Sequence, residues 1–197
     1  MLNEKLKNHH LILASGSPRR QAFFKDLGLD FEVRLKPVKE TYPEDLTHFE
    51  ISNFLAELKA LPFKDALKPQ DILITSDTIV WHENKALGKP MDAHDAFQIL
   101  KSLSGKTHEV ITSVCFTTQN FKKTEYDITK VTFKELLDDE ISYYINTCKP
   151  FDKAGAYGIQ EWIGQIGVTN IEGSYFNVMG LPVHLVYKTL NAFVDAS

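Results

Sequence analysis

A mixed α/β fold, with helices packed on a sheet of parallel and antiparallel strands, is predicted by three features of the chain. HLILAS at 10–15 and DILITSDTIVW at 71–81 read as buried strands. Capped segments of helical period lie between and after them. Short polar turns, HENK at 82–85 and QNFK at 119–122, join later strands as hairpins. Strands linked both by helices and by hairpins give a mixed sheet.

In chain order, MLNEKLKNHH reads as a polar terminal arm, with His9 and His10 in a flexible tail. After HLILAS comes a turn and then a helix, with Ser17 as N-cap, Pro18 as first residue and Gly28 as stop. FEVRLK alternates Phe31, Val33 and Leu35 with Glu32, Arg34 and Lys36, a strand with one wet face. Thr47 to Glu50 forms a capping box for a helix presenting Ile51, Phe54, Leu55 and Leu58. Asp92 caps a helix stopped by Gly105. HEVITSVCFTT and KTEYDITKVTF form the second hairpin, and DDEISYYINT is helical. IGQIGVTNIEGS reads as irregular strand and turn, and an amphipathic helix from Pro182 closes the chain.

The 197 residues, 43% hydrophobic, suffice for a core. No composition break marks a linker, so residues 1–197 are read as a single domain. Lys+Arg 22 against Asp+Glu 26 gives a net charge of -4, which argues against nucleic-acid or anionic-membrane partners. Phosphate chemistry would therefore rest on local cationic clusters. Cys115 and Cys148 read as ordinary reduced thiols, since neither CxxC nor a His pair accompanies them. The polar start and the absence of an apolar run of about 20 residues predict a cytoplasmic protein. His48, His82, His94, His108 and His184 are scattered, and Trp81 and Trp162 read as packing residues.

Four segments carry possible chemistry. Ser15-Gly16-Ser17-Pro18-Arg19-Arg20 sets two hydroxyls and two guanidiniums beside the free amides of a helix start. That is a phosphate cradle, or else a capped helix with solvated arginines. Asp77, within Ser76-Asp77-Thr78, lies in an apolar run where an acid is costly unless paired or metal-bound; a wet strand face is the alternative. Lys89 in Leu87-Gly88-Lys89-Pro90 is either a restrained cation or an exposed turn lysine. In KAGAYGIQ at 153–160, small residues permit close backbone approach, and the Gln160 amide suits the edge of a base; a glycine-rich connector is the plain alternative.

LILASGSPRR, SDTIV, LGKP, LSGKTHEVITSV, DKAGAYGIQ and NVMGLP occur in this order and at these spacings, and together the chain resembles the Maf family of nucleotide pyrophosphatases over nearly its whole length. The resemblance implies a fold related to ITPase-like pyrophosphatases, with a cleft between two lobes. It implies hydrolysis of a nucleoside triphosphate to monophosphate and pyrophosphate, a divalent metal (Mg²⁺ or Mn²⁺) and a homodimer. It makes Asp77 the general base or a metal ligand. Arg19, Thr78 and Gln160 match positions tied to substrate choice; Ser15, Arg20, Lys59, Lys89 and Lys153 match the phosphate-facing cluster; Glu40 matches an acidic position near the site. DKAGAYGIQ resembles the subgroup acting on dTTP and UTP, with Glu161 departing from the glycine usual there. Two other readings remain: a house-cleaning enzyme for modified nucleotides such as 7-methyl-GTP, kept open by Glu161, and a nucleotide-binding regulator of septum formation.

Overall fold

The computed structural model describes residues 1–195. Among them, seven strands form one mixed sheet: β1 (His10–Leu13), β2 (Phe31–Val33), β3 (Asp71–His82), β4 (Lys85–Leu87), β5 (Thr107–Thr117), β6 (Lys122–Phe133) and β7 (Val168–Glu172). Their order is β2-β1-β3-β5-β6-β7, with β4 paired to β3. β1 runs parallel to β2 and β3, whereas β3–β4 and β6–β7 are antiparallel. The helices are α1 (Leu2–Leu6), α2 (Pro18–Asp26), α3 (Phe49–Ala60), α4 (Ala93–Leu103), α5 (Asp138–Cys148), α6 (Trp162–Gly167), α7 (Tyr175–Val178) and α8 (Val183–Asp195). The mixed α/β class agrees with the sequence reading. No described helix is long and apolar enough to cross a membrane.

The chain divides into two compact units. The first comprises residues 1–77, 112–127 and, of those described, 180–195; the second comprises 78–111 and 128–179. In the first, Ile12, Leu73 and Cys115 of the sheet pack with Ala56 and Ala60 of α3, and Phe63 and Leu67 follow that helix into the same core. The two alanines, one helical turn apart, leave room for α3 to lie close to the strands. In the second, Ala96, Leu100 and Leu103 recur at helical spacing along α4. They meet Ile141, Tyr144 and Ile145 of α5, Val110, Val131 and Phe133 of the sheet, and Tyr157 and Ile159.

Local signals place most boundaries. The Ser17 hydroxyl accepts from the Arg20 amide at the start of α2, and Gly28 takes φ +66° just beyond its end. Asp92 caps α4 by accepting from the Asp95 amide at 2.8 Å. The β3–β4 turn runs through Glu83 and Asn84, both at positive φ, as tight hairpins prefer.

Four expectations are corrected. The N-terminal arm is not a tail: Leu2 and Leu6 are buried one turn apart in α1, which packs on α8, and His10 opens β1. β2 stops at Val33, leaving Val33 and Leu35 exposed, because β2 is the sheet edge and the chain departs there. Trp162–Gly167 is helix rather than irregular strand; its glycines hide the helical period, and the Glu161 carbonyl accepts from the Gly164 and Gln165 amides to start it. The Thr47–Glu50 capping box is half formed. The Glu50 carboxylate accepts from the Thr47 amide and hydroxyl, so that hydroxyl does not cap the helix.

Candidate active site

In the first unit, β3 ends its run through that unit at Asp77, which is only 6% exposed. α3 delivers Lys59 from its last turn, and the Lys59 ammonium donates to Asp77 Oδ1 at 2.6 Å. The register of α3 on the sheet is set by buried hydroxyls. Thr75 donates to the Ala56 carbonyl at 2.7 Å, and Ser52 and Ser113 share a hydrogen bond at 2.7 Å. Ala56 lies three residues before Lys59, and Thr75 two before Asp77, so the Thr75 bond also fixes the ion pair. Glu40 reaches Lys59 from the connection preceding α3, at 3.3 Å.

Burial raises the Asp77 carboxyl above the ordinary aspartate range, and it does so against the opposing pull of Lys59 and Arg20. Such a carboxylate, desolvated yet held beside cations, fits general-base work.

Arg20 is engaged by backbone acceptors of its own unit. Its Nε donates to the Gly180 carbonyl at 2.7 Å, and its Nη1 to the Ser76 carbonyl at 2.9 Å. Burial lowers its pKa, opposed by the Asp77 charge. The guanidinium thus braces the residue preceding Asp77. In the same loop, Ser15 Oγ accepts from the Ser17 amide at 3.3 Å, and Gln21 donates to the Ser15 carbonyl at 3.2 Å. Ser15 is buried, Arg19 is half-buried, and Gly16 is exposed. The structure thus gathers Arg20, Glu40, Lys59 and Asp77 into one charged cluster, with Arg19 near enough to act on Arg20.

The remaining predicted residues belong to the second unit. Thr78 is half-buried on β3, and Lys89 is exposed beyond β4. The Gly155 amide donates to the Gly88 carbonyl at 3.1 Å, fastening the LGKP turn to KAGAYGIQ. Gly155 has φ +69°, and a Cβ there would lie 2.7 Å from Val80, so no other residue fits. Lys153, 8% exposed, meets Asp152 Oδ1 at 2.6 Å and Glu161 Oε1 at 3.1 Å. Gln160 is half-buried.

Two residues that support this segment, Tyr144 and His108, were not singled out by sequence. Tyr144 accepts from the Gly158 amide at 3.0 Å and donates to Glu161 Oε2. Burial, followed by Glu161, raises its phenol pKa. His108 shares a 2.7 Å hydrogen bond with the Tyr157 hydroxyl, and burial lowers its pKa to about 3, so it is neutral. Tyr144 does lie on the apolar stripe of α5 with Ile141 and Ile145, the signal of a buried phenol needing a partner. His108 carried no comparable signal.

As to a metal, no three His, Cys, Asp or Glu side chains among the described residues form a ligating group. Asp77 and Glu40 nonetheless share one cation through Lys59. A hard divalent ion held by one or two carboxylates, with substrate phosphates completing its shell, fits that donor set.

The family model described as Maf-like protein matches residues 10–193. A Flavobacterium johnsoniae protein named dTTP/UTP pyrophosphatase is 64% identical over 98% of this chain and 100% of its own length. Christiangramia forsetii has a protein of the same name, 57% identical over the full length of both chains. A third so named, from Bacteroides fragilis, is 50% identical over 94% of this chain and 96% of its own. Among solved structures, the Staphylococcus aureus Ham1 protein aligns with a TM-score of 0.55 at 15% identity, covering 93% of this chain and 99% of that one, which shows a shared fold.

Proposed function

This chain belongs to the Maf family, and from that premise we propose that it hydrolyses a nucleoside triphosphate to the monophosphate and pyrophosphate, with dTTP and UTP as preferred substrates. The reaction reading is carried by the buried Asp77 held between Lys59 and Arg20; the substrates follow the names of relatives up to 64% identical. Asp77 accepts a proton from, or orients, the water that attacks the α-phosphorus. Lys59 keeps the Asp77 carboxylate in one orientation, and Arg20 fixes the backbone behind it. Lys89 and Lys153 are assigned to the phosphates with Ser15, and Arg19, Thr78 and Gln160 to nucleotide choice.

A divalent cation, Mg²⁺ or Mn²⁺, belongs to this reading. Asp77, with Glu40 beside it, would hold the ion, which supplies charge neutralisation at the phosphate oxygens. A cytoplasmic homodimer completes the proposal. Glu161 gives little support to a 7-methyl-GTP preference, because its carboxylate is engaged by Tyr144 and Lys153.

The test is pyrophosphate release from dTTP, UTP, CTP, GTP and 7-methyl-GTP with Mg²⁺ or Mn²⁺. Release from dTTP and UTP well above the others is expected. Failure of every nucleotide to yield monophosphate and pyrophosphate would refute the reaction.

A further inference from the structure

Gln160 occupies the centre of a tight turn, because the Glu161 amide donates to the Gly158 carbonyl at 3.0 Å across Ile159 and Gln160. Both corners of that turn are tied to one atom. The Gly158 amide donates to Tyr144 Oη at 3.0 Å, and the same hydroxyl donates to Glu161 Oε2. The Glu161 side chain folds back so closely that a Cβ on Gly158 would lie 2.8 Å from it. Its second oxygen meets Lys153, at the head of the segment, at 3.1 Å. Its carbonyl starts α6 by accepting from the Gly164 and Gln165 amides. One residue therefore connects the beginning of the segment, both corners of the turn and the helix that follows.

We propose that Glu161 is the positioning residue that sets base selectivity, holding the turn that carries Gln160 in a single geometry through Tyr144 and Lys153. The inference rests on the base-reading role given to Gln160 above. A buried network of this kind specifies one arrangement only when all its members are satisfied, and loosening it lets the turn sample others. Tyr144 acts at the same joint, since its hydroxyl is donor to one corner and acceptor from the other.

Three variants separate the links. Glu161→Gln keeps an acceptor for Tyr144 and removes the charge facing Lys153. Glu161→Ala removes both contacts, and Tyr144→Phe removes the shared hydroxyl. kcat and KM are measured for dTTP and GTP, together with dissociation constants for dTMP and GMP, which read base choice without turnover. In Glu161→Ala and Tyr144→Phe, the kcat/KM ratio of dTTP over GTP falls about tenfold, the scale of one charge-assisted hydrogen bond. The fall comes through KM for dTTP, and the dTMP/GMP binding ratio falls with it. Glu161→Gln, whose amide keeps the Tyr144 bond but turns an NH2 toward Lys153, lowers both ratios by a smaller factor, about threefold.

A purely structural residue would lower the active fraction, and so kcat, for every nucleotide alike. Unchanged ratios in Glu161→Ala and Tyr144→Phe overturn the proposal; if Glu161→Ala does not fold, Tyr144→Phe alone decides. A selective wild type with equally selective variants refutes this inference only. A wild type that cleaves no nucleotide refutes the pyrophosphatase reading first, and the inference falls with it.

Discussion

Replacing Arg20 distinguishes a brace from a phosphate ligand. Its guanidinium donates to two carbonyls, Gly180 at 2.7 Å and Ser76 at 2.9 Å. Arg20→Ala deprives both acceptors of a charged donor. A partly buried carbonyl left in that state costs about 1–1.5 kcal/mol, the low end for an unsatisfied group, since each oxygen has a second lone pair. The two together give about 2–3 kcal/mol. For a chain of this size, each kcal/mol moves Tm by about 2–4 °C, so the midpoint should fall by about 4–12 °C. Arg20→Lys retains the charge, but a point donor cannot span both carbonyls as the planar fork does, so its midpoint should lie between the two.

The assay is thermal denaturation at fixed pH and salt, with kcat and KM measured at a temperature where each variant remains folded. A brace loses stability and kcat, because Ser76 adjoins Asp77, while KM moves little. A midpoint for Arg20→Ala within about 1 °C of wild type, with KM raised about tenfold and kcat retained, would refute the brace and return Arg20 to the phosphates.

Asp77→Asn should lower turnover by about 10²–10⁴-fold. Its stability at pH 7 should hold or rise: a carboxyl whose folded pKa is raised stabilises the fold below its unfolded pKa and loses that contribution as pH climbs through the folded value. Paired melting and turnover measurements check both parts. Lys59→Met removes the partner that most strongly opposes the upward shift of Asp77, so the acid limb of kcat/KM should move to higher pH; a limb that stays in place counts against Asp77 as the base. His108 has a folded pKa of about 3, below its ordinary value, so the unfolded chain takes up the proton first and stability falls as pH drops from about 6.5 toward 3. His108→Phe should flatten that decline in Tm, read by melting curves across the interval.

Sequence reasoning located features whose cause is local. Ser17, Asp92 and Gly105 act within a few residues of themselves, and the elements they bound appear as expected. Asp77 was legible because an acid between Ile74 and Ile79 has few tolerable environments. Lys59 was not legible from the residues alone, since a lysine on a helix is ordinarily solvated and only the resemblance singled it out. What makes it unusual is the Thr75–Ala56 bond and the Ser52–Ser113 pair, which bring segments 19 and 61 residues apart into register. α1 was missed because two leucines among charged residues make a weak stripe, and its burial depends on α8 from the other end of the chain.

Arg20 and Glu161 show why residue type alone does not settle a role. Arg20 lies within, and Glu161 directly after, a motif that suggests contact with a nucleotide. Each engages groups of its own unit: Arg20 carbonyls 56 and 160 residues away, Glu161 the side chains of Tyr144 and Lys153. A charge that has left water must find hydrogen-bonding partners or shift its ionisation, and a long side chain reaches whichever partners the topology supplies. Within a motif, the sequence therefore marks a position where a charge is needed. Whether that charge meets the substrate, or holds the residue that does, follows from which carbonyls and hydroxyls the fold has left within reach.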